Sequence, residues 1–124
     1  MEKKRILIVD DESGFTHLLK LTLEKAGPYI VCEENDGTRA REVALSFRPD
    51  LIFLDIVMPK VDGGDVASQI RSDPILRNVR VVFLTAIVSK KEASKNSMIG
   101  GFPFLAKPIT LEALIACIEE TLAS

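Results

Sequence analysis

Long apolar runs, dense cysteines and linkers rich in glycine, proline or serine are all missing from this sequence of 124 residues. No apolar stretch approaches the roughly 20 residues that a membrane-spanning helix needs. The first apolar run, residues 6–9, is too short for a signal peptide and is followed by two aspartates. Cys32 and Cys117 form no CxxC motif, and we expect both to be reduced and buried. These absences predict a cytoplasmic protein.

The charge of the chain is nearly balanced. Sixteen lysines and arginines oppose 18 aspartates and glutamates, which gives a formal net charge of −2. The small basic clusters within residues 3–5 and 90–95 are typical of solvated surface. A balance of this kind predicts no direct nucleic-acid partner and no membrane partner.

Short apolar runs alternate with segments of helical periodicity. Several runs are continuous, as is typical of strands buried on both faces of a parallel sheet. The predicted strands are residues 6–9, 29–32, 51–54, 81–84 and 102–105. The predicted helices lie within residues 15–26, 40–47, 64–71, 89–98 and 109–122. Gly27-Pro28 and Pro49 are expected to end the first two helices.

This alternation predicts one domain over residues 1–124, with no output domain in this chain. The predicted fold class is α/β: a doubly wound (βα)5 domain with a five-stranded parallel sheet. We expect the flavodoxin-like strand order 2-1-3-4-5, in which ligands bind beyond the carboxyl ends of the strands.

Polar residues follow four of the predicted strands. Asp10 and Asp11 follow the first strand, Asp55 the third, Thr85 the fourth and Lys107 the fifth. Because these strand ends meet at one edge of the sheet, we expect the side chains to lie together. Repulsion between clustered carboxylates raises the pKa of at least one of them. Mg²⁺ or another divalent cation relieves this repulsion. Asp55 would then be a nucleophile toward a phosphoryl group, with Thr85 and Lys107 contacting the phosphate.

Each of these residues also has an ordinary structural interpretation. Asp10 and Asp11 are typical turn formers, and Asp11 is also typical of a helix cap. Lys107 alone is typical of a solvated surface, and Thr85 of a strand. Asp55 lies in an apolar stretch, where an unpaired charge is costly. Their joint position at successive strand ends favours a functional site.

The sequence resembles the receiver domains of two-component response regulators. The matching segments are residues 6–11 (ILIVDD), 49–59 (PDLIFLDIVMP) with Gly63, 82–86 (VFLTA) and 104–108 (FLAKP). They occur in order over essentially the whole chain, and together they are specific. The resemblance implies a phosphorylation-dependent switch. Its partners would be a histidine kinase or phosphotransfer protein and a downstream protein or output domain.

The resemblance also implies a role for each matching position. Asp55 matches the phosphoacceptor, which also binds the metal, and Thr85 and Lys107 match the switch hydroxyl and the phosphate-contacting lysine. Further implied roles are metal binding by Asp10, by Asp11 and by the backbone carbonyl of Val57, a cis bond before Pro108, and a tight backbone at Gly63.

Two segments depart from the family pattern. Phe104 stands where a tyrosine or another aromatic switch residue is usual, and it can equally be interpreted as a core residue. The segment before the last strand lacks the usual glycine–alanine pair. There Gly101 and Pro103 indicate a looser entry to the strand and a weakly hydrogen-bonded edge.

Three other functions fit part of this pattern. A magnesium-dependent phosphatase would need a second acid soon after Asp55, where Ile56 and Val57 stand. A flavodoxin-like cofactor binder would need a phosphate-binding loop in place of the acidic residues 10–12. A phosphorylation-independent pseudo-receiver usually lacks part of the acidic set. The resemblance therefore implies a switch that promotes its own phosphotransfer and dephosphorylation, not an enzyme acting on an external substrate, with the pseudo-receiver as the alternative.

Overall fold

The computed structural model of the protein describes residues 2–86 and 98–123. In chain order the elements are β1 (Lys4–Val9), α1 (Ser13–Ala26), β2 (Tyr29–Glu34), a 3₁₀ turn (Gly37–Arg39), α2 (Ala40–Phe47), β3 (Leu51–Asp55), α3 (Gly63–Ser72), β4 (Arg80–Thr85), β5 (Met98–Ile99), β6 (Phe102–Ala106) and α4 (Leu111–Ala123). The helix predicted over residues 89–98 lies outside the described residues, apart from Met98, which belongs to β5. No helix within the described ranges is long and apolar enough to cross a membrane.

The five predicted strands form one sheet in the expected order. The sheet runs β2-β1-β3-β4-β6-β5, and the first five strands of this order pair in parallel. Since β6 is the fifth strand of the prediction, the order 2-1-3-4-5 is confirmed.

The short strand β5 was not predicted. It pairs antiparallel with β6, with Met98 opposite Pro103 and Ile99 opposite Phe102. Gly100 and Gly101 make the turn, with φ values of 57° and 86°. Positive φ at both central residues is typical of a tight two-residue hairpin, and glycine adopts it without strain. The prediction of a looser entry to the last parallel strand was therefore wrong, while weak hydrogen bonding at this edge stays a prediction.

Two hydrophobic clusters cover the two faces of the sheet. One packs α2 and α3 against the sheet through Ala44, Val66 and Ile70, and the other packs α1 and α4 through Leu23 and Leu114. Helices on both faces explain why the strand sequences are continuously apolar. The two cysteines are free and half-buried at the edges of these clusters, rather than buried as predicted.

The helix boundaries follow local sequence signals. Helix α1 stops at Ala26, directly before Gly27. Helix α2 stops where Arg48 takes a left-handed φ of 56° directly before a proline. Thr110 caps α4, because its hydroxyl accepts a hydrogen bond from the Ala113 N–H at 3.1 Å.

Candidate functional site

Four strand ends meet at one edge of the sheet. Asp55 and Thr85 end β3 and β4, while Asp10 and Lys107 come directly after β1 and β6. Thr85 lies opposite Ala106 in the parallel ladder, and the Lys107 N–H donates to the Thr85 carbonyl at 2.9 Å. This register brings the predicted residues to the same end of the sheet.

Three carboxylates gather at this edge. Asp10 is fully buried, Asp55 is 7% exposed and Asp11 is exposed. One oxygen of each carboxylate lies within 4.8 Å of the others. The Glu12 N–H donates to Asp10 Oδ1 at 3.0 Å. Glu12 is the N-cap of α1 and makes no side-chain capping bond.

Lys107 is the cation that faces these acids. Its Nζ lies 2.7 Å from Asp10 Oδ2, 3.5 Å from Glu12 Oε1 and 4.0 Å from Asp55 Oδ2. Burial alone would lower the pKa of Lys107, but the hydrogen bond and charge of Asp10 outweigh it and raise that pKa. The peptide bond from Lys107 to Pro108 is cis, as the resemblance implies.

Asp55 is held in an environment that disfavours its charge. Burial, followed by the charge of Asp10, raises its pKa from 3.8 to about 6, against the opposing effects of Lys107 and of a hydrogen bond from the Val57 N–H. At neutral pH Asp55 is therefore ionised, but it is more basic than an ordinary aspartate. A carboxyl group whose pKa is shifted by burial and by a neighbouring like charge is a candidate functional group.

Gly63 allows α3 to begin directly against the end of β3. A Cβ at this position would lie within 2.3 Å of the Asp55 carbonyl oxygen and 2.7 Å of Ile56 Cα. The Gly63 N–H donates to the Ile56 carbonyl at 2.8 Å, and Val57 forms an isolated bridge with Asp62. The loop after Asp55 is thus folded back on the strand, as expected for Gly63.

The family assignment rests on a match over most of the chain. A family model described as the response regulator receiver domain matches residues 6–119. The chain belongs to this family. Receiver domains are signalling switches rather than substrate-turnover enzymes, and phosphorylation on aspartate is typical of them.

Curated relatives support the same assignment. The chain is 35% identical over 118 residues to the DNA-binding dual master transcriptional regulator RpaA of Synechocystis sp., covering 95% of this chain and 48% of RpaA. It is 36% identical over 116 residues to the transcriptional regulatory protein PdtaR of Mycobacterium tuberculosis, covering 94% of this chain and 55% of PdtaR. The receiver domain therefore spans about half the length of these relatives.

Solved structures share the whole fold. The chemotaxis protein CheY4 of Vibrio cholerae superposes with a TM-score of 0.83 at 27% identity, covering 97% of this chain and 99% of that one. A response regulator from Chloroflexus aurantiacus gives a TM-score of 0.85 at 27% identity, covering 99% and 100%.

The donor set of the pocket fits a hard divalent cation. Asp10, Asp11 and Asp55 offer only oxygen, which is the ligand type that Mg²⁺ prefers. One ammonium group, from Lys107, faces these carboxylates within the described part of the chain, so negative charge remains in excess. Val57 has an exposed side chain, and the use of its backbone carbonyl as a further ligand stays a prediction.

The side chains of Thr85 and Phe104 are both buried. Thr85 is 1% exposed and Phe104 is 8% exposed. Phe104 lies opposite Phe83 in the β4–β6 ladder and belongs to the same hydrophobic cluster as Phe83 and Phe102. The ring is thus a core residue in this conformation, and its coupling to Thr85 stays a prediction.

Sequence reasoning missed two residues beside the pocket. The Phe15 ring lies under the Lys107 ammonium, 4.6 Å from its centroid, which is a cation–π geometry. The Asn35 side chain donates to the Asp10 carbonyl at 2.7 Å. In the sequence Phe15 is only the first residue of the helix predicted within residues 15–26, with nothing to link it to the pocket. Asn35 carried no signal, because its role depends on the path of the loop after β2.

Proposed function

We propose that residues 1–124 form one receiver domain that accepts a phosphoryl group on Asp55, with Mg²⁺ bound by Asp10, Asp11 and Asp55. The donor would be a phosphohistidine on a histidine kinase or phosphotransfer protein. The observation that carries this proposal is the convergence of the three carboxylates at the strand ends, where their oxygens lie within 4.8 Å. An acidic pocket of this kind attracts a phosphoryl group only when positive charge accompanies it.

The transfer forms one bond and breaks one. A carboxylate oxygen of Asp55 attacks phosphorus, the P–N bond of the donor breaks, and the donor nitrogen keeps the electron pair. Lys107, whose Nζ is 4.0 Å from Asp55 Oδ2, is placed to neutralise charge on the phosphoryl oxygens. Bound Mg²⁺ would supply further positive charge at those oxygens. Later attack by water would return Asp55 and release phosphate, so no external substrate is turned over.

Intact mass spectrometry tests this chemistry. The protein is incubated with acetyl phosphate and Mg²⁺, and we expect one phosphoryl adduct that is absent without Mg²⁺ and absent in Asp55→Asn. Asp65→Asn is the matched control, because it makes the same change at an exposed acid in the first turn of α3. An unmodified wild-type protein under every condition would favour a phosphorylation-independent interaction module instead.

We propose that phosphorylation changes the surface formed by β6 and α4. Thr85 and Lys107 would link the phosphorylation site to this surface, since Thr85 ends β4 and Lys107 directly follows β6. New phosphate oxygens offer both side chains an acceptor, and Phe104 on β6 would move with them. The altered surface would then bind a downstream protein or output domain.

Beryllofluoride provides a test of the switch without a partner. A related receiver domain, RstA of Klebsiella pneumoniae, has been crystallised in its beryllofluoride-activated form. We expect beryllofluoride with Mg²⁺ to shift amide NMR signals along β6 and α4 in wild type and in Thr85→Ser, but less in Thr85→Ala. Unchanged signals in wild type, despite bound beryllofluoride, would contradict the switch.

Nucleic-acid contact is not part of this proposal. RpaA is described as DNA-binding, but it is about twice the length of this chain. Because the chain has a net charge of −2, which does not attract nucleic acid, we propose that this receiver domain contacts proteins.

A further inference from the structure

Both main-chain polar groups of Asp10 are hydrogen-bonded to residues at, or just after, the end of β2. Its N–H donates to the Glu34 carbonyl at 3.1 Å, and its carbonyl accepts from the Asn35 amide nitrogen at 2.7 Å. A parallel ladder would use a backbone N–H for the second bond. Here the Asp36 N–H turns instead to the Glu34 carboxylate at 2.9 Å. The Asn35 side chain thus extends the β1–β2 ladder by one bond, beyond the point where β2 ends.

A second hydrogen bond fixes the orientation of this amide. Asn35 Nδ2 also donates to the Thr16 hydroxyl at 2.9 Å, and Thr16 is fully buried in α1. That hydroxyl donates its hydrogen to Glu33 Oε1 at 2.8 Å, so its oxygen is an acceptor for Asn35. Burial would raise the pKa of Glu33, but bonds from His17 and Thr16 outweigh it and lower that pKa, which keeps Glu33 an ionised acceptor. The amide therefore meets two acceptors and must present its nitrogen to both.

The geometry points to Asn35 as a positioning residue for the Asp10 carboxylate, acting with Thr16 behind the acidic pocket. The effect that this positioning has on cation binding rests on the proposed function. The Asp10 carboxylate is aimed by its own backbone and by two contacts, the Glu12 N–H at 3.0 Å and Lys107 Nζ at 2.7 Å. Loosening the Asp10 carbonyl lets that carboxylate reorient, which weakens any cation site that includes it.

Magnesium affinity of the intact chain is the first readout, measured by calorimetry. We expect Asn35→Ala to bind Mg²⁺ about tenfold more weakly, the lower end of the effect of lost outer partners at metal sites. Thr16→Val removes one of the two anchors of the amide and should give a smaller loss. The double variant should lose less than the sum of both, because the two residues act through one amide.

Matched controls separate positioning from stability. Asn78→Ala makes the same change at an exposed asparagine before β4, at the other end of the sheet, and should leave Mg²⁺ affinity within twofold. Asn35→Gln keeps the amide and should recover part of the affinity. In phosphorylation by acetyl phosphate, Asn35→Ala should raise the Mg²⁺ concentration needed for half-maximal rate while leaving the rate at saturating Mg²⁺ within twofold.

Hydrogen exchange of the Glu12 amide decides the inference even if no cation or phosphoryl group binds. This amide donates to Asp10 Oδ1, so we expect its exchange to accelerate severalfold in Asn35→Ala and not in Asn78→Ala. Failure of wild type to take a phosphoryl group would overturn the proposed function and leave this readout intact. Two results for Asn35→Ala would overturn the positioning role. One is unchanged exchange of the Glu12 amide, and the other is unchanged Mg²⁺ affinity together with a lower unfolding midpoint.

Discussion

Replacing Asp55 by asparagine removes one charge from a side chain that is 7% exposed while keeping its size. The pKa of Asp55 is raised from 3.8 to about 6, mainly by burial and then by the charge of Asp10. The folded protein thus holds a proton on Asp55 at pH values where the unfolded chain has released it. The contribution of Asp55 to stability should therefore fall as pH rises from about 4 to about 6 and then level off.

The magnitude follows from that pKa. One pKa unit corresponds to about 1.4 kcal/mol, so ionised Asp55 costs the folded, metal-free protein at most about 3 kcal/mol. We expect Asp55→Asn to be more stable than wild type by about 1–3 kcal/mol at pH 7.5 and by almost nothing near pH 4. The asparagine oxygen can still accept the Val57 N–H, and its new amide nitrogen faces the carboxylates of Asp10 and Asp11, which can accept hydrogen bonds.

Urea unfolding of both proteins in chelator, at several pH values between 4 and 8, measures this difference. Asp65→Asn, which removes an exposed charge, should show no comparable gain. Adding Mg²⁺ should reverse the order, because a cation that binds the folded state stabilises wild type more than the variant. An Asp55→Asn protein that is no more stable than wild type at pH 7.5, or equally stabilised at pH 4, would refute the reasoning.

Three further predictions concern the frame around the pocket. Gly63→Ala should lower the unfolding free energy by about 2–4 kcal/mol, because the new Cβ would clash with backbone atoms. Gly14→Ala, where a Cβ on α1 would meet no neighbouring atom, should raise it by up to about 1 kcal/mol. Arg5→Lys should cost about 1 kcal/mol in thermal unfolding, because Arg5 Nε and Nη2 both donate to the Phe47 carbonyl, at 2.9 and 2.7 Å; an unchanged midpoint would contradict this. Bonds from Ile75 and Arg41 hold the pKa of Asp73 below 3.8 despite burial, so Asp73→Asn should destabilise most at neutral pH and less as pH falls below that value. A loss equal at all pH values in urea unfolding would exclude that charge effect.

The fold could be predicted because its signals are local. Continuous apolar runs identified the five parallel strands, and Gly27 and Pro49 placed the ends of two helices within a residue. The hairpin at Gly100 and Gly101 escaped prediction because a two-residue strand is too short to show any periodicity. Gly101 and Pro103 were interpreted as a looser entry to the last strand, whereas the positive φ values of Gly100 and Gly101 make a tight turn.

The pocket could be predicted only in part. Asp10, Asp55 and Lys107 were expected to meet because parallel strands deliver their ends to one edge, and they do meet. Asn35 and Phe15 act through the path of a loop and the rotation of a helix, which depend on tertiary packing. No pattern in the sequence reports such contacts.

Strand β3 is the middle one of the five parallel strands, and its side chains alternate between the two hydrophobic clusters. Ile52 and Leu54 belong to one cluster, Leu51 and Phe53 to the other, and all four are fully buried. Moving this strand toward either face would open a void on one side and compress the other, and close-packed interiors resist both. Asp55 is therefore a fixed reference point. A chemical change at Asp55 would therefore be taken up by the loops and side chains around the pocket rather than by movement of β3, so the packing that stabilises the fold also limits where a conformational change can begin.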